Sequence, residues 1–313
     1  MYSMISLIVV MLIVLSQSVA ADEWNYNEEG PDVWSDLYPA CDGSSQSPID
    51  VDTQTTSYLS FTRFQFNPGY NIAQNFTLKN TGHTIQATYT GNDPSTIAFV
   101  GGGLAGSYQF VNFHLHWGEN YKSGSEHQVN GHKYTAEFHL VHRNSVTGQF
   151  AALGMFIQTV KQTNTTHEKR RKRDSSTNET LTPSDWIKFL VESSKLNLVN
   201  DTVTLSLNLA SLFTEDTENY WRYSGSFTTP PCTEGVIWTV FKTPILLDDS
   251  YFSALRHLIS TRYYRGPQRL HGRTVYRSYP YEDSIGAADS IFCFTSRLHI
   301  FFFFVIFLYI HFY

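Results

Sequence analysis

The chain has 313 residues, 42% of them hydrophobic and 15% aromatic, which is too apolar for a disordered protein and ample for a large packed core. Its net charge of −6, with no basic stripe, argues against nucleic acid as a partner. Length alone allows two domains, but β-rich units of this size often stand as one.

Residues 1–20, MYSMISLIVVMLIVLSQSVA, carry an apolar run too short to cross a bilayer, closing on the small-x-small pattern Ser18-Val19-Ala20. They read as a secretory signal peptide removed near Ala20; the lack of Lys or Arg before the run leaves an uncleaved anchor as the alternative. Four Asn-x-Ser/Thr sequons, at Asn75, Asn164, Asn178 and Asn200, agree with export and predict glycosylation.

Strand signals then dominate. In NFHLHWG (112–118), His114 and His116 are two apart, so on a strand they project from one face with Cα atoms about 6.6 Å apart. AEFHLVH (136–142) and QFAALGMFIQTV (149–160) are apolar runs of buried-strand length. Asn130-Gly131 is a turn signal that can return AEFHLVH antiparallel to the first histidine strand. Residues 161–185 are polar and charged, and read as a surface insertion. Within them Arg170-Arg171-Lys172-Arg173 resembles a paired-basic processing site, with a solvated charge run as the alternative.

A helix is expected from Thr182-Pro183, as cap and first turn, with Trp186, Phe189 and Leu190 facing inward. TVTLSLNL alternates Val203, Leu205, Leu207 and Leu209 onto one strand face, and a second helix follows Asp248-Asp249 with Phe252, Leu255 and Ile259 at helical spacing. The implied fold is α+β and β-dominated: one domain, 21–285, around a large twisted, mostly antiparallel sheet with a few peripheral helices. Residues 286–313 combine small residues, a spacer and a terminal apolar tail. They read as a glycosylphosphatidylinositol anchor signal, with a single-pass helix as the alternative, and so place the protein extracellularly at a membrane. Of three cysteines, Cys293 lies in that tail; Cys41 and Cys232 are left to pair in an oxidising compartment.

Two histidines can grip one metal ion only if a third ligand arrives. His139 supplies it on a second strand, with Glu137 on the same face as an orienting carboxylate; His142, the rival ligand, falls on the opposite face. Three imidazoles with an open fourth position suit a catalytic zinc, although the same donors also accept cobalt or iron.

NFHLHWG and EFHLVH resemble the two zinc strands of the α-class carbonic anhydrases, SEHQV carries that family's gate glutamate, and YWRYSGSFTTPPCTEGVIW resembles its substrate wall. SQSPIDV and NTGH are further landmarks in the expected order, and the resemblance runs from about Trp24 to Arg277. It implies reversible hydration of carbon dioxide to bicarbonate by hydroxide on a Zn2+ ion held by His114, His116 and His139, with Asn112 and Glu137 behind the ligands. Thr228 would orient that hydroxide through Glu126, His83 would shuttle the proton out, and Tyr26 would help order the water. Val141, Ala152, Phe227, Val236 and Trp238 would surround carbon dioxide, with Thr229 near bicarbonate. The resemblance also implies a Cys41–Cys232 disulfide, as in exported members, which would hold two fragments together after cleavage at Arg173. Four departures stand out: Phe227 for a usual leucine, which would crowd the mouth; Ala152 for valine; Asn112 for glutamine; and Tyr263 where asparagine is common. The alternative is a non-catalytic relative serving as a cell-surface binding or adhesion protein.

Overall fold

A computed structural model describes residues 24–160, 183–257 and 262–281. The expected signal peptide, Asn164, Asn178, the basic run at 170–173, Thr182, Ile259, Cys293 and the tail at 286–313 lie outside the described residues. Among the described residues no helix is long and apolar enough to cross a membrane. The described residues up to Ser278 form one compact unit.

Among the described residues, eight strands of five residues or more build its sheet: β1 (Ala73–Asn80), β2 (Ile85–Tyr89), β3 (Leu104–Trp117), β4 (Ala136–Asn144), β5 (Phe150–Val160), β6 (Thr202–Asn208), β7 (Tyr220–Ser226) and β8 (Glu234–Asp248). They lie in the order β6-β1-β2-β3-β4-β5-β8-β7, continued by the short strands Tyr276–Arg277 and Ser57–Tyr58. Neighbours run antiparallel except β5 beside β8 and the two short strands beside each other. The mostly antiparallel, β-dominated reading is borne out. Three helices accompany the sheet among the described residues: α1 (Trp34–Leu37), α2 (Ser184–Ser193) and α3 (Asp249–His257).

Period-two patterning assigns each central strand one core face. Phe113, Leu115 and Trp117 of β3, Phe138 and Leu140 of β4, and Ala151, Leu153 and Met155 of β5 join Trp186 and Phe189 of α2 and Phe252 and Leu255 of α3 in one buried cluster. Each large side chain so buried contributes roughly 1.5–3 kcal/mol. α2 presents Trp186, Phe189 and Leu190 inward as expected, but starts one residue late. Pro183 has φ −54° and ψ 143°; its ring suits a helix, yet its extended ψ makes it the residue before the helix. In β6, Leu207 is fully buried, Val203 and Leu205 pack partly buried against the core, and Leu209 follows in a 3-10 turn started by the Asn208 side chain.

One irregularity decides where the chemistry sits. Along β3, Tyr108 and Phe110 face the core at even positions, whereas Phe113, Leu115 and Trp117 do so at odd ones. A bulge between Phe110 and Asn112 inserts the exposed Val111 and reverses the alternation. Asn112, His114 and His116 are thereby turned to the face opposite the aromatic core.

Candidate metal centre

His114 of β3 stands directly opposite His139 of β4, and His116 opposite Glu137. The turn between the two histidine strands uses left-handed backbone at Asn130 (φ 51°) and Gly131 (φ 77°), as the Asn-Gly pair foretells. His114, His116 and His139 offer nitrogen atoms that all lie within 4.8 Å of one another. Their ring centroids are separated by 5.1, 5.2 and 4.7 Å.

Each ring is held from behind. His114 Nδ1 donates to Asn112 Oδ1 at 2.9 Å, and His116 Nδ1 donates to the Tyr263 carbonyl oxygen at 2.9 Å. His139 Nε2 donates to Glu137 Oε1 at 2.8 Å. With those nitrogens protonated, the lone pairs left are on His114 Nε2, His116 Nε2 and His139 Nδ1, and they converge. Two of these acceptors, His114 Nε2 and His139 Nδ1, sit 3.3 Å apart. His116 Nε2 is buried without a hydrogen-bond partner among the described residues. Burial depresses all three imidazoles, that of His116 to about 4, so they stay neutral and keep their lone pairs at physiological pH. Three acceptors converging without a proton between them are a donor set for a divalent cation with room for a further ligand.

Glu137 anchors a longer relay. Its Oε1 accepts from His127 Nδ1 at 2.6 Å and its Oε2 from the backbone N–H groups of Glu126 and His127. Tyr223 donates its hydroxyl to His127 Nε2 at 2.6 Å, and Ser47 Oγ lies 2.8 Å behind Tyr223. Burial would raise the Glu137 carboxyl, but the His127 and His139 imidazoles overcome it and hold the group well below the usual range. His142, the rival ligand, points the other way: its Nε2 meets the Tyr70 hydroxyl among the rings of Phe99 and Phe110.

Glu126 is fully buried, with Oε1 3.4 Å from His116 Nδ1 and accepting the Arg265 backbone N–H at 2.8 Å. Burial lifts its carboxyl to about 7, against the opposing pull of His139, the Arg265 N–H and the Thr228 hydroxyl. A cation on the histidines would favour its ionised form.

The cavity face is laid out in rungs across the sheet. Above the His114–His139 pair, Asn112 faces Val141, Val141 faces Ala152, and Ala152 faces Trp238. Val141, Ala152, Val236 and Trp238 are buried; Phe227 and Thr229 are partly exposed at the loop that carries the buried Thr228. Tyr26 is buried among Trp24, Trp34 and Tyr263, and its hydroxyl has no hydrogen-bond partner among the described residues. Burial, then the nearby Glu126 carboxylate, push the Tyr26 phenol well above its ordinary pKa. His83 stacks on Trp24 with centroids 3.7 Å apart. Cys41 and Cys232 form a disulfide, and Cys232 N–H donates to Thr229 C=O, which ties the bridge to the Thr228 loop. Of the sequons described, Asn75 lies exposed on β1 and Asn200 exposed before β6.

Residues 29–279 match the family model of the eukaryotic-type carbonic anhydrases. The chain belongs to that family. Carbonic anhydrase 3 of Bos taurus is 33% identical over 281 residues, spanning 83% of this chain and 99% of the relative. Carbonic anhydrase 1 of Mus musculus is 31% identical over 83% of this chain and 100% of its own length, and carbonic anhydrase 7 of Homo sapiens 29% over 82% and 97%. The resemblance read from the motifs is borne out, and membership supports carbonate dehydratase activity.

Several contributors escaped the sequence reading. His127, Tyr223 and Ser47 sit inside the quoted motifs SEHQV, YWRYSGS and SQSPIDV, but nothing in the spacing joins residues so far apart. Gly154 is another. It faces His139 across the β4–β5 ladder, and a Cβ there would lie 3.1 Å from Glu137 Oε1, 3.4 Å from Trp238 and 3.7 Å from His139.

Proposed function

We propose that the chain is a zinc enzyme that interconverts carbon dioxide and bicarbonate, exported and held at the cell surface by its C-terminal segment. The observation that carries the catalytic part is the convergence of three unprotonated imidazole nitrogens, each fixed by a hydrogen bond from its other nitrogen. A neutral nitrogen donor set with an open side suits zinc. When bound there, zinc supplies a Lewis acid that makes water acidic enough to ionise near neutral pH, an effect for which carbonic anhydrases are themselves the reference case.

The chain's own residues do the rest. Thr228, whose hydroxyl lowers the Glu126 carboxyl, would donate a hydrogen bond to it and accept one at the cavity, which orients the attacking water. Val141, Ala152, Val236 and Trp238 offer carbon dioxide an apolar surface, and Thr229 offers bicarbonate a hydroxyl. Hydration releases one proton per turnover, and His83, a partly exposed imidazole stacked on Trp24, is the group that passes it to buffer. Asn112 and Glu137 hold two ligands in their tautomers.

The apolar segments at 1–20 and 298–313, the sequons and the disulfide support export and anchoring. Release of the cell-surface protein by a phospholipase specific for phosphatidylinositol tests the anchor. For the chemistry, wild type and His116→Ala are compared for bound zinc and for carbon dioxide hydration. The expected result is one zinc per chain and rapid hydration, both lost in the variant; metal-free wild type, or equal rates, would refute the proposal.

A further inference from the structure

The rung beyond Val141 and Ala152 carries no assigned role, yet it lies on the same face as the histidines. Arg143 continues the series Glu137, His139, Val141 on β4, and Phe150 continues Gly154, Ala152 on β5; the two are paired across the ladder. The β4–β5 connection is only the hairpin turn 145–149, with Gly148 in left-handed backbone (φ 76°), so this pair closes the end of that hairpin. Arg143 is also paired with Gln109 of β3, whereas Phe150 stands just beyond the β5–β8 ladder, which begins at Ala151.

Three side chains close ranks there. The Phe150 and Phe227 rings meet edge to face, with centroids 5.0 Å apart and planes at 71°. The Arg143 guanidinium lies 5.4 Å from the centroid of the same Phe150 ring, and its Nε donates to the Gly148 carbonyl oxygen. Phe227 belongs to the loop that carries Thr228, so the contact bridges the end of the β4–β5 hairpin to the catalytic loop. Phe227 alone could swing aside. Backed by a second aromatic ring, itself held by a cation, it is fixed in place. Beneath this pair the floor is small, with Ala152 between Phe150 and Gly154.

We infer that Phe150 is a specificity-determining residue: with Phe227 it forms a rigid aromatic sill that admits carbon dioxide and bicarbonate and excludes wider anions, and Arg143 is the positioning residue that holds it. The inference rests on the carbon dioxide reading of the pocket, and its test separates the two. Cobalt-substituted wild type, Phe150→Leu, Phe227→Leu, Arg143→Leu and Arg143→Lys are titrated with acetate and with benzoate, followed by the visible spectrum of the metal. Carbon dioxide hydration is measured beside them on the zinc forms.

Wild type should take acetate well in preference to benzoate. Phe150→Leu and Phe227→Leu should each narrow that preference by about tenfold, a pocket-size effect of ordinary magnitude. Arg143→Leu should narrow it in the same direction, and Arg143→Lys, which keeps a cation over the ring, should restore it. A merely structural role would leave the benzoate-to-acetate ratio untouched. A ratio within twofold of wild type in Phe150→Leu overturns the sill, and Phe227→Leu asks the same question from the other ring should the first variant fold poorly. Discrimination between the anions without hydration in wild type would sink the activity reading alone.

Discussion

His116 Nδ1 donates to the backbone carbonyl of Tyr263 at 2.9 Å, and the side chain of Tyr263 takes no part in that bond. The ring stacks instead on Trp117, centroids 5.2 Å apart at 16°. This explains why an aromatic residue can stand where the family commonly has asparagine: the ligand needs an oxygen at that point in space, and the main chain provides it. Tyr263→Phe should therefore leave zinc affinity within about twofold of wild type, whereas Tyr263→Ala should lower stability by roughly 1–3 kcal/mol through the lost stacking. Competition against a chelator and chemical denaturation measure the two. A large affinity loss in the Phe variant would assign the hydroxyl a part in the site.

Gly154 faces His139 across the ladder, where any side chain would crowd Glu137 and Trp238. A methyl group 3.1 Å from Glu137 Oε1 must push that carboxylate, and the carboxylate holds His139. Gly154→Ala is expected to weaken zinc binding by about tenfold while costing only about 1–2 kcal/mol of stability. Chelator competition and a thermal melt of the metal-free protein separate these effects. Unchanged zinc affinity would mean that Trp238, not Glu137, yields to the methyl group.

These two residues mark the boundary of what could be read from sequence. The H-x-H pair and His139 were legible because strand periodicity is local: parity set His139 and His142 on opposite faces, and Glu137 beside His139 decided between them. The aromatic core was legible for the same reason. The bulge at Val111, which turns the histidines away from that core, leaves no trace in composition. Nor does a backbone carbonyl 147 residues downstream of His116. Ser47, Tyr223 and His127 form one relay through β7 and the loop before β4, and only the folded sheet brings them within hydrogen-bond distance. Pro183 shows a smaller limit: its fixed φ predicts a helix start, but ψ, which the ring does not fix, placed the boundary one residue on.

Glu137 accepts from His127, from His139 and from two backbone N–H groups, so its charge is used four times. Glu137→Gln keeps the shape but turns part of the acceptor into a donor facing donors. Zinc affinity should fall by about 10–100-fold. Stability should fall by about 3 kcal/mol or more in the metal-free protein, because buried N–H groups lose their partner. His127→Gln, one step further out, should cost less affinity than Glu137→Gln; the reverse order would break the relay as drawn.

His142 gives a pH dependence that does not involve the metal. Burial lowers its pKa from 6.5 to about 3, and the Tyr70 hydroxyl donates to its Nε2, which suits the neutral ring. Between those two values the unfolded chain binds a proton that the folded chain refuses. The stability tied to this ring is thus complete above pH 6.5 and drains away as the pH falls toward about 3, at up to about 1.4 kcal/mol per pH unit. The three ligand histidines are shifted in the same direction, so metal-stripped wild type should lose stability steeply in acid. Replacing both partners, His142→Phe with Tyr70→Phe, removes the titration without stranding a buried hydroxyl, and leaves the ligands as they are. Urea denaturation of the metal-stripped proteins at a series of pH values should show a slope shallower by one proton in the double variant between pH 6 and 4. Equal slopes would mean that His142 takes up its proton in the folded protein, and that the aromatic core around it is open to water.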